Sequence, residues 1–377
     1  MVVSVLVVVL GVAPLATAAP SEGRPQGPCD IYMAAESPCV AAFSTTRALS
    51  ATYRGPLYQL ERASDRASLN IGVLPDGYAD AAAHDEFCTG TTCVFAKVFD
   101  QSPNHNDLGL PEPLSFETHG LLRLIPFHLL DASLLPIVIA GHKVYGMYFD
   151  GEHSGYRNNQ TANMPIGDQP EGMYMVAGGD HFNSTCCFDF GNAETDDTDD
   201  GAGTMDAVNL STICWFPNGV GAMPNFFGGV PPDSQCKGDG PFVQADLENG
   251  LYGSDTGVSR DPGYVGEQYP YVTAMLKNDG TNFFALKGGN AQSGALSTRY
   301  AGPLPPKPFV PNPADGNGYS PMRKQGAIIL GTGGDGGSGA GDFFEGVITR
   351  NLPTDEAENA VHANIVAAGY GSPAPTK

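Results

Sequence analysis

The sequence predicts an all-β protein, a sandwich or barrel with one short C-terminal helix, on three observations. Gly (49) and Pro (31) make up about a fifth of the 377 residues and are spread without a repeat, which suits many turns and disfavours a helical bundle or coiled coil. Short runs rich in Val, Ile, Phe and Tyr sit between clusters of Gly, Pro, Asn and Asp, the pattern of many short strands. Helical periodicity is confined to the C-terminus. Apolar residues reach 41%, enough to bury a sizeable core, and no linker-like segment divides the chain.

The first element is an apolar run, Val2 to Ala13, broken only by Ser4 and Gly11 and followed by Ala16-Thr17-Ala18. It is too short for a membrane span and reads as a signal peptide over residues 1–19, although its start lacks Lys and Arg. The expected location is therefore secreted. A second apolar stretch, Leu121 to Ala140, is interrupted by Arg123, Pro126, Asp131 and Pro136 and reads as buried strands and turns. Expected strands are Cys93 to Phe99, Lys143 to Phe149, Met173 to Val176, Phe242 to Glu248, Tyr271 to Leu276, Phe283 to Lys287, Ala327 to Leu330 and Phe343 to Ile348. Residues 217–240 and 301–318 read as loop insertions. The helix is Thr354 to Ala368, with Thr354 as cap and Asp355, Glu356 and Glu358 at the positive end of its dipole. A frayed tail, 371–377, follows.

Acids outnumber bases 41 to 19, a net charge of −22. A field of that sign repels phosphate backbones and anionic lipid, so neither nucleic acid nor membrane is an expected partner. Eight cysteines fit an oxidising compartment. Cys29/Cys39 and Cys88/Cys93 are spaced to close short loops, and Cys214/Cys236 is a further candidate pair. The adjacent Cys186 and Cys187 either bond to each other or each to a distant partner; the spacing leaves both open and the second is the plainer reading. Sequons at Asn159, Asn183 and Asn209 are candidate glycan acceptors.

Two places carry possible chemistry. Along Phe242 to Glu248, alternation puts Val243, Ala245 and Leu247 on one face and Gln244, Asp246 and Glu248 on the other. Two carboxylates at i and i+2, roughly 7 Å apart, resist joint ionisation and suit glycoside hydrolysis, where a leaving oxygen must be protonated. The plain alternative is a solvated face of an acidic sheet. Asp335 stands in a loop with Gly at 331, 333, 334, 336, 337, 339 and 341, where backbone can approach a ligand closely. The loop lacks the Gly-Lys-Ser/Thr of a phosphate-binding loop, and a single copy of a calcium repeat cannot stack. The run Glu194 to Asp200 reads as a solvated loop without EF-hand spacing. No HExxH, CxxC or GxSxG pattern occurs, so no metal or other cofactor is expected and a serine hydrolase is disfavoured. Trp215, the lone tryptophan, is either a sugar-stacking ring or core.

GPCDIY with Cys39 ten residues beyond its cysteine, FSTTRALS, DQSPNHNDL, GYRNN, EGMY, CCFDFGNAET, DLEN, and GAIILGTGGD followed by FFEGV occur in that order. These motifs resemble the catalytic domain of the fungal-type α-L-arabinofuranosidases B, glycoside hydrolase family 54, from about Gly27 to Tyr370. The resemblance implies a concanavalin-like β-sandwich (jelly roll) over 20–370 and a retaining mechanism. It implies Glu248 as nucleophile and Asp335 as acid/base, with Asp246, Asn249 and the backbone of Gly334 on the arabinofuranose. It further implies a Cys186–Cys187 bond and Trp215 as walls of the sugar pocket, and bridges Cys29–Cys39 and Cys88–Cys93. Substrates would be arabinose-containing hemicellulose or pectin side chains, and the protein a monomer. Departures are the 217–240 insertion, which brings Cys236 as a partner for Cys214, Phe43 where the family carries His, and Gly250 after Asn249 where a second Asn is common. The family's C-terminal arabinose-binding β-trefoil is not expected. The competing class is a lectin-like sandwich that only binds sugar; it has no need of an acid/base.

Overall fold

The computed structural model of the chain describes residues 23–118, 121–212, 239–256, 259–261, 263–306 and 318–372. The 1–19 segment, Cys214 and Cys236, Trp215, most of the 217–240 insertion and residues 373–377 of the tail lie outside the described residues.

Strands dominate, and two antiparallel sheets carry the architecture. The larger runs Cys39–Ser44, Ala340–Arg350, Glu171–Phe182, Tyr271–Asn278, Phe284–Asn290, Ser297–Gly302, with Met147–Asp150 as a seventh strand on Ala340–Arg350. The smaller runs Tyr156–Asn158, Ala327–Leu330, Asp189–Ala193, Asp206–Ser211, Phe242–Asp246, Leu251–Tyr252. Phe190, Val208, Ala245 and Leu330 stand at matched register positions on one face of the smaller sheet and share a buried cluster with Met173, Val347 and Phe343 of the larger. Phe190 meets Phe43 edge-on with ring centroids 6.2 Å apart, and Phe343 at 5.7 Å. The two sheets therefore pack face to face. Gly346 permits the contact, since a Cβ there would lie 2.8 Å from the Phe190 ring. Phe43 is fully buried between the sheets.

The opposite face of the smaller sheet is polar. Asp189, Asn209 and Gln244 form one row across three strands, and Asp246 lies two residues further along on the same side. All four are buried, so this face is shielded from water.

Several expectations needed correction. The strand expected over Lys143 to Phe149 is two strands, His142–Tyr145 and Met147–Asp150, because the Gly146 N–H turns aside to Leu135 O. The strand expected over Phe242 to Glu248 stops at Asp246, so Glu248 is not on it. Leu121 to Ala140 does form strands and turns, yet Leu134 is 55% and Val138 38% exposed, so the segment is only partly buried. The C-terminal helix Asp355–Ala368 starts after a Thr354 cap that accepts the Ala357 N–H at 3.2 Å. Its early acids do more than suit the dipole: Lys277 and Lys287 both reach Asp355 and Glu358 at 2.6–2.9 Å. Two further helices, Pro28–Ala34 and Ala81–Phe87, span seven residues each, too short to show a periodicity in sequence. Bridges join Cys29 to Cys39 and Cys88 to Cys93 and tie each helix to its neighbouring strand. Among the described residues no helix is long and apolar enough to cross a membrane.

Candidate active site

The site is built where the smaller sheet ends. Asp246 closes its strand, and its Oδ1 accepts the Glu248 N–H at 3.1 Å. That bond holds a tight turn in which Glu248 and Asn249 both adopt left-handed backbone, φ 64° and 56°. Non-glycine residues rarely sit there, and the turn is secured on all sides. Tyr319 donates its hydroxyl to Glu248 O at 2.8 Å, the Gly203 N–H reaches Leu247 O at 2.7 Å, and Asn249 Nδ2 donates to Asp199 Oδ1 at 3.1 Å. The i, i+2 spacing of Asp246 and Glu248 thus works through a turn rather than through the pleat of a strand.

Beside Asp246 lies the Cys186–Cys187 bond, which links the two neighbours. Asp246 Oδ2 is 3.3 Å from Cys187 Sγ and 4.0 Å from Cys186 Sγ. Cys186, Cys187 and Asp246 place ligand-type atoms within 4.8 Å of one another. Both sulfurs are spent in their mutual bond, so the trio offers a polarisable sulfur face and one carboxylate rather than thiolates for a metal.

Asp335 arrives on the glycine-rich loop after Ala327–Leu330. The loop folds on itself: Gly333 N–H donates to Gly337 O at 2.6 Å, and Asp335 Oδ1 accepts the Gly337 N–H at 3.2 Å. Gly334 O takes Nη1 of Arg157 at 2.8 Å. The same guanidinium donates to Glu194 O and pairs through Nε with Asp197 at 2.6 Å. A Cβ on Gly334 would lie 2.1 Å from Glu194 Oε2, so only glycine fits between the loop and that carboxyl.

Burial governs the electrostatics. It pushes Glu248 well above the carboxylate range, with the charges of Glu194, Asp246, Asp335 and Asp199 adding to it. Asp335 is raised by burial and by Asp199, against the pull of the Gly337 N–H. Asp246 is pushed up to about 7 by burial, opposed by its hydrogen bonds from the Glu248 N–H and with Asp189. Asp189 lies well above its usual range through burial and the neighbouring Asp246. Burial raises all four of these carboxyls, and the charges of Asp246 and Asp335 oppose ionisation of their neighbours, so they do not ionise together, a field that suits acid–base chemistry.

These shifts carry a stability prediction. Glu171 and Glu194 are pushed up to about 8, both chiefly by burial. A carboxyl whose folded pKa exceeds its unfolded one binds more protons in the folded state between those two values. Its stabilisation is complete below the unfolded pKa and is lost as pH rises through the folded one. The melting temperature should therefore fall steadily between pH ~5 and pH ~8. Scanning calorimetry that finds a flat or rising Tm over that window would contradict these shifts.

Of the residues singled out by sequence, Glu248, Asp335, Asp246, Asn249, Gly334, Cys186 and Cys187 come together here. The Glu194 to Asp200 run is not simply a solvated loop. Glu194 is fully buried, Asp197 and Asp199 are half-buried and hold Arg157 and Asn249, Asp200 is half-buried, and Thr195, Asp196 and Thr198 are exposed. Asn209 is fully buried and its amide donates to Asp189 Oδ1 at 2.6 Å, which corrects its reading as a glycan acceptor. Asn183 and Asn159 are half-buried; Asn183 Oδ1 caps the turn into the cysteine pair, and Asn159 Nδ2 donates to Asp197 at 3.1 Å. Sequence reading missed Asp189, Glu194, Arg157, Asp199 and Tyr319. Asp189, Glu194 and Arg157 lay inside CCFDFGNAET and GYRNN, but nothing in their spacing marked them as buried beside the two acids.

A family model described as alpha-L-arabinofuranosidase B, catalytic, matches residues 28–371. Alpha-L-arabinofuranosidase B of Aspergillus niger is 45% identical over 351 residues, 92% of this chain and 64% of that protein. A Trichoderma koningii protein named arabinofuranosidase/B-xylosidase is 44% identical, over 91% of this chain and 63% of its own length. The chain thus spans a little under two-thirds of the length of these curated relatives. An arabinofuranosidase crystallised with arabinofuranosyl-alpha-1,2-xylobiose superposes with a TM-score of 0.78 at 41% identity, covering 92% of this chain and 66% of that one. A family 54 arabinofuranosidase soaked with a cyclic sulfate inhibitor gives 0.77 at 41%, with the same coverage.

Proposed function

This chain belongs to the α-L-arabinofuranosidase B catalytic family, glycoside hydrolase family 54, and we propose that it is a retaining, exo-acting α-L-arabinofuranosidase. The observation that carries the reading is the pair Glu248 and Asp335: a buried acid and a half-buried one on separate, internally braced loops, with Asp335 among the charges that act on Glu248. Glu248 attacks the anomeric carbon as a carboxylate while Asp335 gives its proton to the departing oxygen. Asp335 then takes a proton from water, whose oxygen displaces Glu248 and releases arabinose with its configuration retained. Asp246, Asn249, the Gly334 backbone and the Cys186–Cys187 face receive the furanose ring. The two face-packed sheets are consistent with a concanavalin-like jelly roll.

Substrates on this reading are arabinose-bearing side chains of hemicellulose or pectin. The enzyme is a secreted monomer, an address that its three observed disulfides suit. The test is hydrolysis of 4-nitrophenyl α-L-arabinofuranoside followed by proton NMR. The first-formed sugar should be the α-anomer; β-arabinofuranose as first product, or no nitrophenol at all, would refute the proposal. The same assay run on a β-xyloside decides whether the double name of the Trichoderma relative extends to this chain.

The sulfur face yields a further expected result. A ring closed between adjacent residues restrains little of the unfolded chain, so it contributes far less than the ~3 kcal/mol of a 15-residue loop. Its place against Asp246 points to substrate contact instead. The double substitution Cys186→Ala/Cys187→Ala should raise KM roughly tenfold, about 1.4 kcal/mol of lost contact, while Tm moves by no more than about 2 °C. A large drop in Tm with KM unchanged would return the pair to scaffolding.

A further inference from the structure

Glu194 is the deep acid for which the mechanism above has no use. It is fully buried, yet among the described residues no cation pairs with its carboxyl: Arg157, the basic side chain beside it, donates to its backbone oxygen instead. Its Oε1 lies 2.5 Å from Thr204 Oγ1, and Thr204 Oγ1 lies 2.6 Å from Gly201 O. Thr204 has one hydroxyl proton for two close oxygens, Glu194 Oε1 and Gly201 O. Both contacts are hydrogen bonds at once when the carboxyl supplies the second proton. Oε2 is buried without a hydrogen-bond partner, which a neutral carbonyl oxygen tolerates far better than half of a carboxylate. That same oxygen abuts Gly334, the residue before Asp335.

We propose that Glu194 is a positioning residue that works as a neutral carboxylic acid. It seats Gly334, and with it the Asp335 loop, while leaving no further negative charge beside Glu248. The inference rests on the proposed roles of Glu248 and Asp335. Its physical content is simple. Glu194 heads the charges that oppose ionisation of Glu248, so a nucleophile that must be ionised needs its neighbour protonated. Arg157 from Tyr156–Asn158 and Asp246 from the strand end act on Glu194; Glu248 of the turn feels Glu194 together with Asp335 of the glycine loop and Asp199, and Asp196 and Asp197 of its own segment act on Arg157. Burial outweighs all of them and places the Glu194 carboxyl at about 8.

The test compares E194Q, neutral and nearly isosteric, with E194A. At pH ~5 on an aryl arabinofuranoside, E194A should lose on the order of 10²-fold in kcat/KM through a misplaced loop. E194Q should recover to within about fivefold of the parent. With an activated aryl leaving group, which needs little help from Asp335, the parent's kcat/KM should fall as pH rises through about 8, and E194Q should lack that fall. Infrared difference spectra of parent minus E194Q at pH ~6 should show the carbonyl stretch of a protonated carboxyl. This readout needs neither substrate nor activity, so it stands even if the arabinofuranoside is not the substrate or if E194A fails to fold. Absence of the band, equal damage in E194Q and E194A at pH ~5, or identical alkaline arms in parent and E194Q would each overturn the neutral-acid role.

Discussion

Glu248→Gln lowers turnover on aryl arabinofuranosides by on the order of 10⁴-fold or more while the protein stays folded, because no covalent intermediate can form. The fold survives for a structural reason. What pins the Glu248 turn is backbone: its N–H to Asp246 and its carbonyl from Tyr319. Neither depends on the side chain. The substitution also removes a carboxyl that burial already disfavours in its charged form, so Tm should be unchanged or higher. Glu248→Ala leaves a gap at the anomeric face, and added azide should restore turnover there by acting as an external nucleophile. Azide should not restore Asp246→Asn, whose lost group binds rather than attacks. Near-normal turnover in Glu248→Gln would remove Glu248 from the mechanism, and with it the enzyme reading over the lectin-like one.

The strands were legible because one face of each is apolar. Ala327–Leu330 matches its expected bounds, and Val243 and Ala245 do point into the core. The helix cap at Thr354 was legible because capping is local chemistry. The turn at Glu248 was not. Alternation along Phe242 to Glu248 carries on smoothly in sequence, and the turn is enforced by Tyr319, some 70 residues away. Asp189 and Glu194 were hidden for a related reason: carboxyls are ordinarily exposed, and what buries these two is the return of a distant glycine loop and a strand row. The motifs of the family resemblance named the two proposed catalytic acids but not the groups that brace them. The buried Asn209 shows the converse error, since a sequon is a three-residue pattern and burial is a property of the sheet.

Asp335→Asn should split substrates by leaving group, and this is the second large effect. The general acid contributes most where the departing oxygen is a poor leaving group, typically 10²–10⁴-fold. For an arabinosyl-xylan oligosaccharide the aglycone leaves as an alkoxide, so kcat/KM should fall through roughly that range. For an aryl arabinofuranoside with an acidic phenol the first step needs little proton transfer, and kcat/KM should fall less than about tenfold. The second step still lacks its base. Turnover should therefore stall at the glycosyl-enzyme, and rapid mixing should reveal a burst of nitrophenol equal to the enzyme present, followed by a slow steady state. The Asp335 side chain makes one local hydrogen bond, to the Gly337 N–H, which Asn can keep through its amide oxygen, so the loop itself should hold. Equal losses of kcat/KM on both substrates, with no burst, would instead make Asp335 a residue that binds the ring and leave the proton donor to be sought among its buried acidic neighbours.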